Sequence, residues 1–132
     1  MDHLKFTIPG KPEYLTMVRL AIGSIAHTAG FDMDAVDDIK NAVEEACKNI
    51  SCHGSEGFSD QYEVICDVEK GRIEITIKDD CDDHTLEKMS KPCQNCPSEG
   101  NLAIYVIQSL MSHVEYGKGE DGRKTIKMVK AL

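Results

Sequence analysis

The sequence predicts an α/β (α+β) two-layer sandwich: a mixed or antiparallel sheet of about five strands with three helices on one face. Two observations lead there. Apolar residues recur with period two in five short segments and with helical period in three, in the order β-α-α-β-β-loop-α-β-β. Both pairs of strand segments alternate apolar with polar residues, as expected where one sheet face is covered and the other is wet. A chain of 132 residues is also long enough for one core of its own. Residues 1–132 are therefore expected to form a single domain.

The elements follow in order. "LKFTI" (4–8) alternates Leu4, Phe6 and Ile8 and is stopped by "PGKP". From Glu13 to Ala29, the residues Leu15, Val18, Ile22, Ile25 and Ala29 recur at helical spacing, and Gly30 ends that helix. Asp32 or Asp34 caps a second helix with an apolar face of Ile39, Ala42, Val43, Ala46, Cys47 and Ile50, closed by His53-Gly54. "YEVICDV" and "RIEITIK" alternate around "EKG" and predict a hairpin. A stretch without periodicity, Asp79 to Glu99, is rich in Asp, Lys, Cys and Pro. Its length marks it as functional, stapled or mobile, because connections are usually shorter. "LAIYVIQSLM" predicts a third, strongly apolar helix, and "HVEY" and "TIKMV" two further strands around "GKGEDG".

Bulk composition excludes several function classes. With 41% hydrophobic and 29% charged residues, the chain matches a folded soluble protein rather than a disordered one. The longest apolar run, Leu102 to Ile107, is too short to span a membrane, so no membrane association is expected. "MDHLKFTIPG" lacks a basic region followed by an apolar core, which predicts no secretion signal and a cytoplasmic location. The net charge of -8, with 15 scattered Lys and Arg, argues against direct nucleic-acid binding. Six cysteines in an unsecreted chain are expected to be reduced thiols or metal ligands. Cys47 and Cys66 occupy apolar positions and read as small hydrophobes.

Two groupings carry chemistry. On the second helix, Asn41, Glu45, Asn49 and His53 form one i, i+4 row on the border of the apolar stripe, whereas Glu44 and Lys48 fall on its open face. A polar border residue is commonly just wet. A half-buried row lining a cleft could instead supply a carboxylate that takes a proton and an amide oxygen that holds Mg²⁺. In the long loop, Cys81-x-x-His84 precedes Cys93-x-x-Cys96, a set suited to tetrahedral zinc. The same residues read by default as reduced thiol pairs or a redox-sensitive CxxC.

Three blocks in order resemble the anti-sigma factor serine/threonine-protein kinase family, bacterial members of the histidine-kinase-like ATPase superfamily shared with gyrase and MutL. "AVEEACKNISCHG" resembles the family's Glu, Asn four residues on, then His-Gly. "ITIKDDCDD" resembles its strand ending in Asp before a Gly-x-Gly loop, and "SEGNLAIYVIQSLMSHVEY" its Gly-rich turn into an apolar helix. The opening "IPGKPEYLTMVRLAIGSIA", with Arg19, is similar too, so the likeness spans nearly the whole chain.

The resemblance implies an anti-sigma regulatory factor of bacterial cytoplasm. Such a factor binds a sigma factor, uses ATP and Mg²⁺ to phosphorylate a serine of an anti-anti-sigma protein, and works as a homodimer. By resemblance, Glu45 is the general base toward the serine hydroxyl and Asn49 the Mg²⁺ ligand. Asp79 accepts from the adenine amino group with Thr125 supporting that contact, a geometry that selects adenine over guanine. Gly100, Asn101, Leu102 and Ala103 bring backbone N–H groups to the phosphates at a helix start, where the helix dipole favours anions. The loop at about 80–99 becomes the lid, with Asp83 in the second block's glycine loop.

Without the resemblance, Asp79 reads as a turn former, Thr125 as a strand residue and Gly100 as a helix-entry glycine. The chain also departs from the family. Cys81 and Asp83 stand where it has glycines that permit positive φ and close backbone approach, and Asp83 adds negative charge near the expected phosphates. Asn101 and Ala103 replace glycines more mildly, and Ser112 and His113 replace acidic residues. These departures admit an alternative: a non-catalytic nucleotide-binding or metal-stapled adaptor of the same fold.

Overall fold

A computed structural model describes residues 1–9, 11–50, 61–79, 102–118 and 124–132. Among these, strand β1 (Asp2–Pro9) is followed by helices α1 (Pro12–Thr28) and α2 (Met33–Ile50). Strands β2 (Gln61–Glu69) and β3 (Arg72–Asp79), helix α3 (Leu102–Leu110), and strands β4 (His113–Lys118) and β5 (Lys124–Ala131) complete the order.

Helix boundaries trace to local chemistry. Pro12 sits in the first turn of α1, where its fixed φ suits the helix and its missing N–H leaves no bond unmade. At the other end, Gly30 adopts φ +97°. Its N–H donates to His27 O at 3.0 Å, and Phe31 N–H donates to Ala26 O at 3.3 Å. This is a Schellman closure, which glycine at the left-handed position allows without strain. Asp32, one of the two expected caps, starts α2 by accepting the Ala35 N–H at 2.8 Å.

The sheet order is β1-β2-β3-β5-β4, with every neighbouring pair antiparallel. Period-two alternation across this register builds continuous rows on the helix-covered face. One row runs Phe6, Val64, Ile77, Ile126, and the next runs Leu4, Cys66, Ile75, Met128. The interior members of both rows are fully buried. Above them lie Val18, Ile22 and Ala26 of α1, Ile39, Ala42, Val43, Ala46 and Cys47 of α2, and Ile104 and Ile107 of α3. The opposite face is polar and carries the ion pair Lys127–Glu74 at 3.3 Å and a His3–Asp67 hydrogen bond at 2.6 Å. The predicted two-layer sandwich is thus the observed one, with a purely antiparallel sheet. Among the described residues, no helix is long and apolar enough to cross a membrane.

Candidate functional site

Lys130 fixes which ends of the elements meet. It closes the helix-facing side of β5 opposite Ile73, near the start of β3. Its ammonium donates to Leu110 O, the last residue of α3, at 2.6 Å and lies 3.7 Å from Asp38, in the first half of α2. The start of β3, the end of α3 and the early turns of α2 therefore share one end of the sandwich. Since α3 and α2 pack side by side, they run antiparallel. The start of α3 (Leu102, Ala103), the later turns of α2 (Glu45, Asn49) and the end of β3 (Asp79) accordingly lie toward the other end. Three blocks separated by up to fifty-eight residues of sequence (45 to 103) thus share one end of the fold.

Within this end, Glu45 borders the buried stripe of α2 and is half-buried. Among the described residues it has neither a hydrogen bond nor an ion pair. Position 79 continues the helix-facing row Ile73, Ile75, Ile77 and pairs with Tyr62 of β2. Tyr62 is fully buried and lies against Cys47, itself fully buried between Glu45 and Asn49 in sequence. Burial pushes the Cys47 thiol up to about 12; the neighbouring Glu44 charge adds to this and the Tyr62 hydroxyl partly offsets it. Burial, reinforced by Cys47, also raises the Tyr62 hydroxyl well above its ordinary range. Both groups are neutral at physiological pH, and Cys47 is unsuited to act as a nucleophile.

Glu44 was expected on the open face beside Lys48, but it is half-buried against α1. Its carboxylate accepts from Arg19 Nη1 at 2.8 Å and lies 3.5 Å from Lys48. The same guanidinium donates to Asn41 Oδ1 at 3.1 Å and to Lys40 O at 3.3 Å. One Arg side chain thus gathers three acceptors of α2, and the first member of the predicted polar row, Asn41, turns toward α1. Periodicity did not find this tie, because Arg19 and Glu44 are 25 residues apart. The signal available was a single Arg beside a helix stripe whose flank carries adjacent carboxylates.

Thr125 pairs with Lys78 and Gly117, one residue out of step with Ile126. It therefore lies on the sheet face away from the helices and does not share a row with position 79. The support expected of it for that position does not follow from the register. Asp83, Gly100 and Asn101 lie outside the described residues, as do Cys81, His84, Cys93 and Cys96 and the lid at 80–99. Among the described residues, no three or more His, Cys, Asp or Glu side chains gather as metal ligands do.

The donor chemistry fits a magnesium nucleotide. Glu45 and Asn49 offer hard oxygen donors one helical turn apart, and no described cation neutralises Glu45. The start of α3 presents helix N–H groups of the kind that receive phosphate.

Comparison with known proteins agrees with this fold. The family model described as histidine kinase-like ATPase domain matches residues 8–130. Two curated relatives are the serine-protein kinases RsbW of Bacillus thuringiensis (strain Al Hakam) and Bacillus cereus (strain 03BB102). Each is 29% identical over 123 residues, covering 86% of this chain and 76% of the relative. Among solved structures, the RsbU and RsbW domains of a Mycobacterium tuberculosis protein superpose with a TM-score of 0.68 at 16% identity. That match covers all of this chain and 32% of the other, so the chain spans about a third of it. The SiaB–SiaC complex of Pseudomonas aeruginosa gives a TM-score of 0.61 at 13% identity, covering 98% of this chain and 89% of the other. At such identities these structures speak for the fold. With a match across nearly its whole length, the chain belongs to the histidine kinase-like ATPase domain family.

Proposed function

We propose that the chain is an anti-sigma regulatory factor with protein serine kinase activity. It binds a sigma factor and phosphorylates a serine of an anti-anti-sigma protein, using ATP and Mg²⁺. The observation that carries this reading is that Glu45, half-buried and without a partner among the described residues, stands at the end of the fold where β3 ends and α3 begins. The RsbW relatives, named as serine-protein kinases, support the same direction.

Glu45 is the general base: a carboxylate unpaired among the described residues is free to take the proton of a serine hydroxyl as its oxygen attacks the terminal phosphorus of ATP and ADP leaves. Asn49 would hold the magnesium ion, which when bound neutralises phosphate charge. Asp79, at the end of the covered sheet row, accepts from the exocyclic amine of adenine. Residues 100–103 offer backbone N–H groups to the phosphates, and residues 80–99 close over them. The active unit is a homodimer.

A second reading rests on Cys81 and Asp83, which replace glycines in the second block and add a side chain and a charge beside the phosphates. On that reading the chain binds nucleotide, or a metal in its loop, and regulates by contact without transferring phosphate.

Thermal unfolding with Mg-ATP tests the site. At a hundred times the dissociation constant, one bound nucleotide stabilises the fold by about 2.7 kcal/mol. For a chain of this size the melting temperature then rises by roughly 10 °C. No shift at millimolar Mg-ATP rejects both nucleotide readings. A shift without phosphate transfer to any antagonist favours the second.

A further inference from the structure

Tyr62 opens the helix-facing row of β2, and every atom of it is buried. Its hydroxyl has no hydrogen-bond partner among the described residues. The Cys47 sulfur beside it, a weak acceptor, makes no contact of hydrogen-bond geometry with it. A hydroxyl held dry and unbonded destabilises the folded chain, so native structures keep few of them. This one lies at a telling place. Tyr62 is the cross-strand partner of position 79, and it touches the α2 residue midway between Glu45 and Asn49 in sequence.

We propose that Tyr62 is a positioning residue of the nucleotide site. In the loaded state its hydroxyl gains a hydrogen bond on the base side of the adenylate, made directly or through one enclosed water. The inference rests on the nucleotide reading above and deepens it. Unsatisfied in the empty chain, the hydroxyl adds to affinity only when base and protein come together, so it favours the loaded state without strengthening the empty fold. Its place beside position 79, rather than at the start of α3, assigns it to the base and not to the phosphates.

The test is Tyr62→Phe in the full chain, with calorimetric titration of Mg-ATP and of AMP beside thermal unfolding of the empty protein. The expected result is a melting temperature equal to or above that of the unmodified chain. Both dissociation constants should rise by about fivefold, which converts to about 1 kcal/mol. Unchanged constants overturn the proposal, as does an effect on ATP alone, which would move the hydroxyl to the phosphate side. A drop of several degrees in the empty protein also overturns it, since the hydroxyl would then have a structural partner. If the unmodified chain binds neither nucleotide, the nucleotide reading itself falls, so the two failures are separable.

If the variant does not fold, ring ¹³Cζ resonances of the unmodified protein decide. The chain has four tyrosines, and Tyr14, Tyr105 and Tyr116 are exposed. Tyr62 is the one whose resonance is least broadened by a soluble paramagnetic agent, because it alone of the four is fully buried. It should shift when AMP is added, and a fixed resonance overturns the proposal.

Discussion

Glu44 and Glu45 are chemically identical neighbours on α2, and the structure predicts opposite consequences for exchanging each with Gln. Glu44 receives Arg19 at 2.8 Å and lies 3.5 Å from Lys48. Its side chain is 31% exposed and that of Arg19 is 27% exposed, so solvent screens the pair substantially. A charge-assisted bond in a drier setting contributes about 1.5–3 kcal/mol. With this exposure, and with an amide oxygen still present to accept from Arg19, Glu44→Gln should cost about 1 kcal/mol. That corresponds to a melting temperature lower by roughly 4 °C. Glu45 has no described partner to lose, so Glu45→Gln should leave stability within about 0.5 kcal/mol. The same change removes the proposed proton acceptor and should slow phosphate transfer by about 10²–10⁴-fold while sparing Mg-ATP binding. The assays are thermal unfolding, nucleotide titration and transfer of labelled phosphate to the antagonist. Transfer that survives Glu45→Gln unchanged, or is lost equally with Glu44→Gln, would refute the division of roles.

Three further outcomes follow from the packing. Asp32→Ala removes the cap of α2 and should destabilise the protein by about 1 kcal/mol in urea unfolding, without changing the slope with denaturant. Lys130→Met keeps the apolar stem but leaves Leu110 O and Asp38 without their cation; it should cost about 1 kcal/mol and also weaken Mg-ATP binding, because the end of α3 loses its tether. Stability should fall as pH rises from about 9 toward about 12. In the folded protein, burial pushes the Cys47 and Cys66 thiols up to about 12. The unfolded chain ionises its thiols near the ordinary value of 9.0, so over that window it binds fewer protons than the folded one. The slope is about 1.4 kcal/mol per pH unit for each thiol. Urea unfolding at pH 8 and pH 10 measures it, and replacing Cys66 with Ala should reduce the slope by somewhat under half, with Cys47 and the buried Tyr62 hydroxyl supplying the rest.

Some of this was legible in the sequence because it depends on near neighbours. Period two in "YEVICDV" and period 3.6 in "NAVEEACKNI" are local patterns, and they determined element types, their order and the covered face of each strand. A glycine at 30 and an aspartate at 32 similarly announce a helix end and a helix start, since caps involve groups three to five residues apart. The border position of Glu45 could be read in the same way.

What the tertiary structure decided is the use of each border residue. Sequence spacing put Glu44 in water, but α1 places Arg19 against it from 25 residues away. Thr125 changes faces with a single step of register, which is set by pairing with β3 and β4 rather than by its own segment. Lys130 and Tyr62 looked like an ordinary strand lysine and an ordinary strand aromatic. Packing made one a clamp on the end of α3 and left the other with a buried, unsatisfied hydroxyl. Local pattern tells a residue whether it faces the core; only long-range packing tells it which partner it meets there, or whether it meets none.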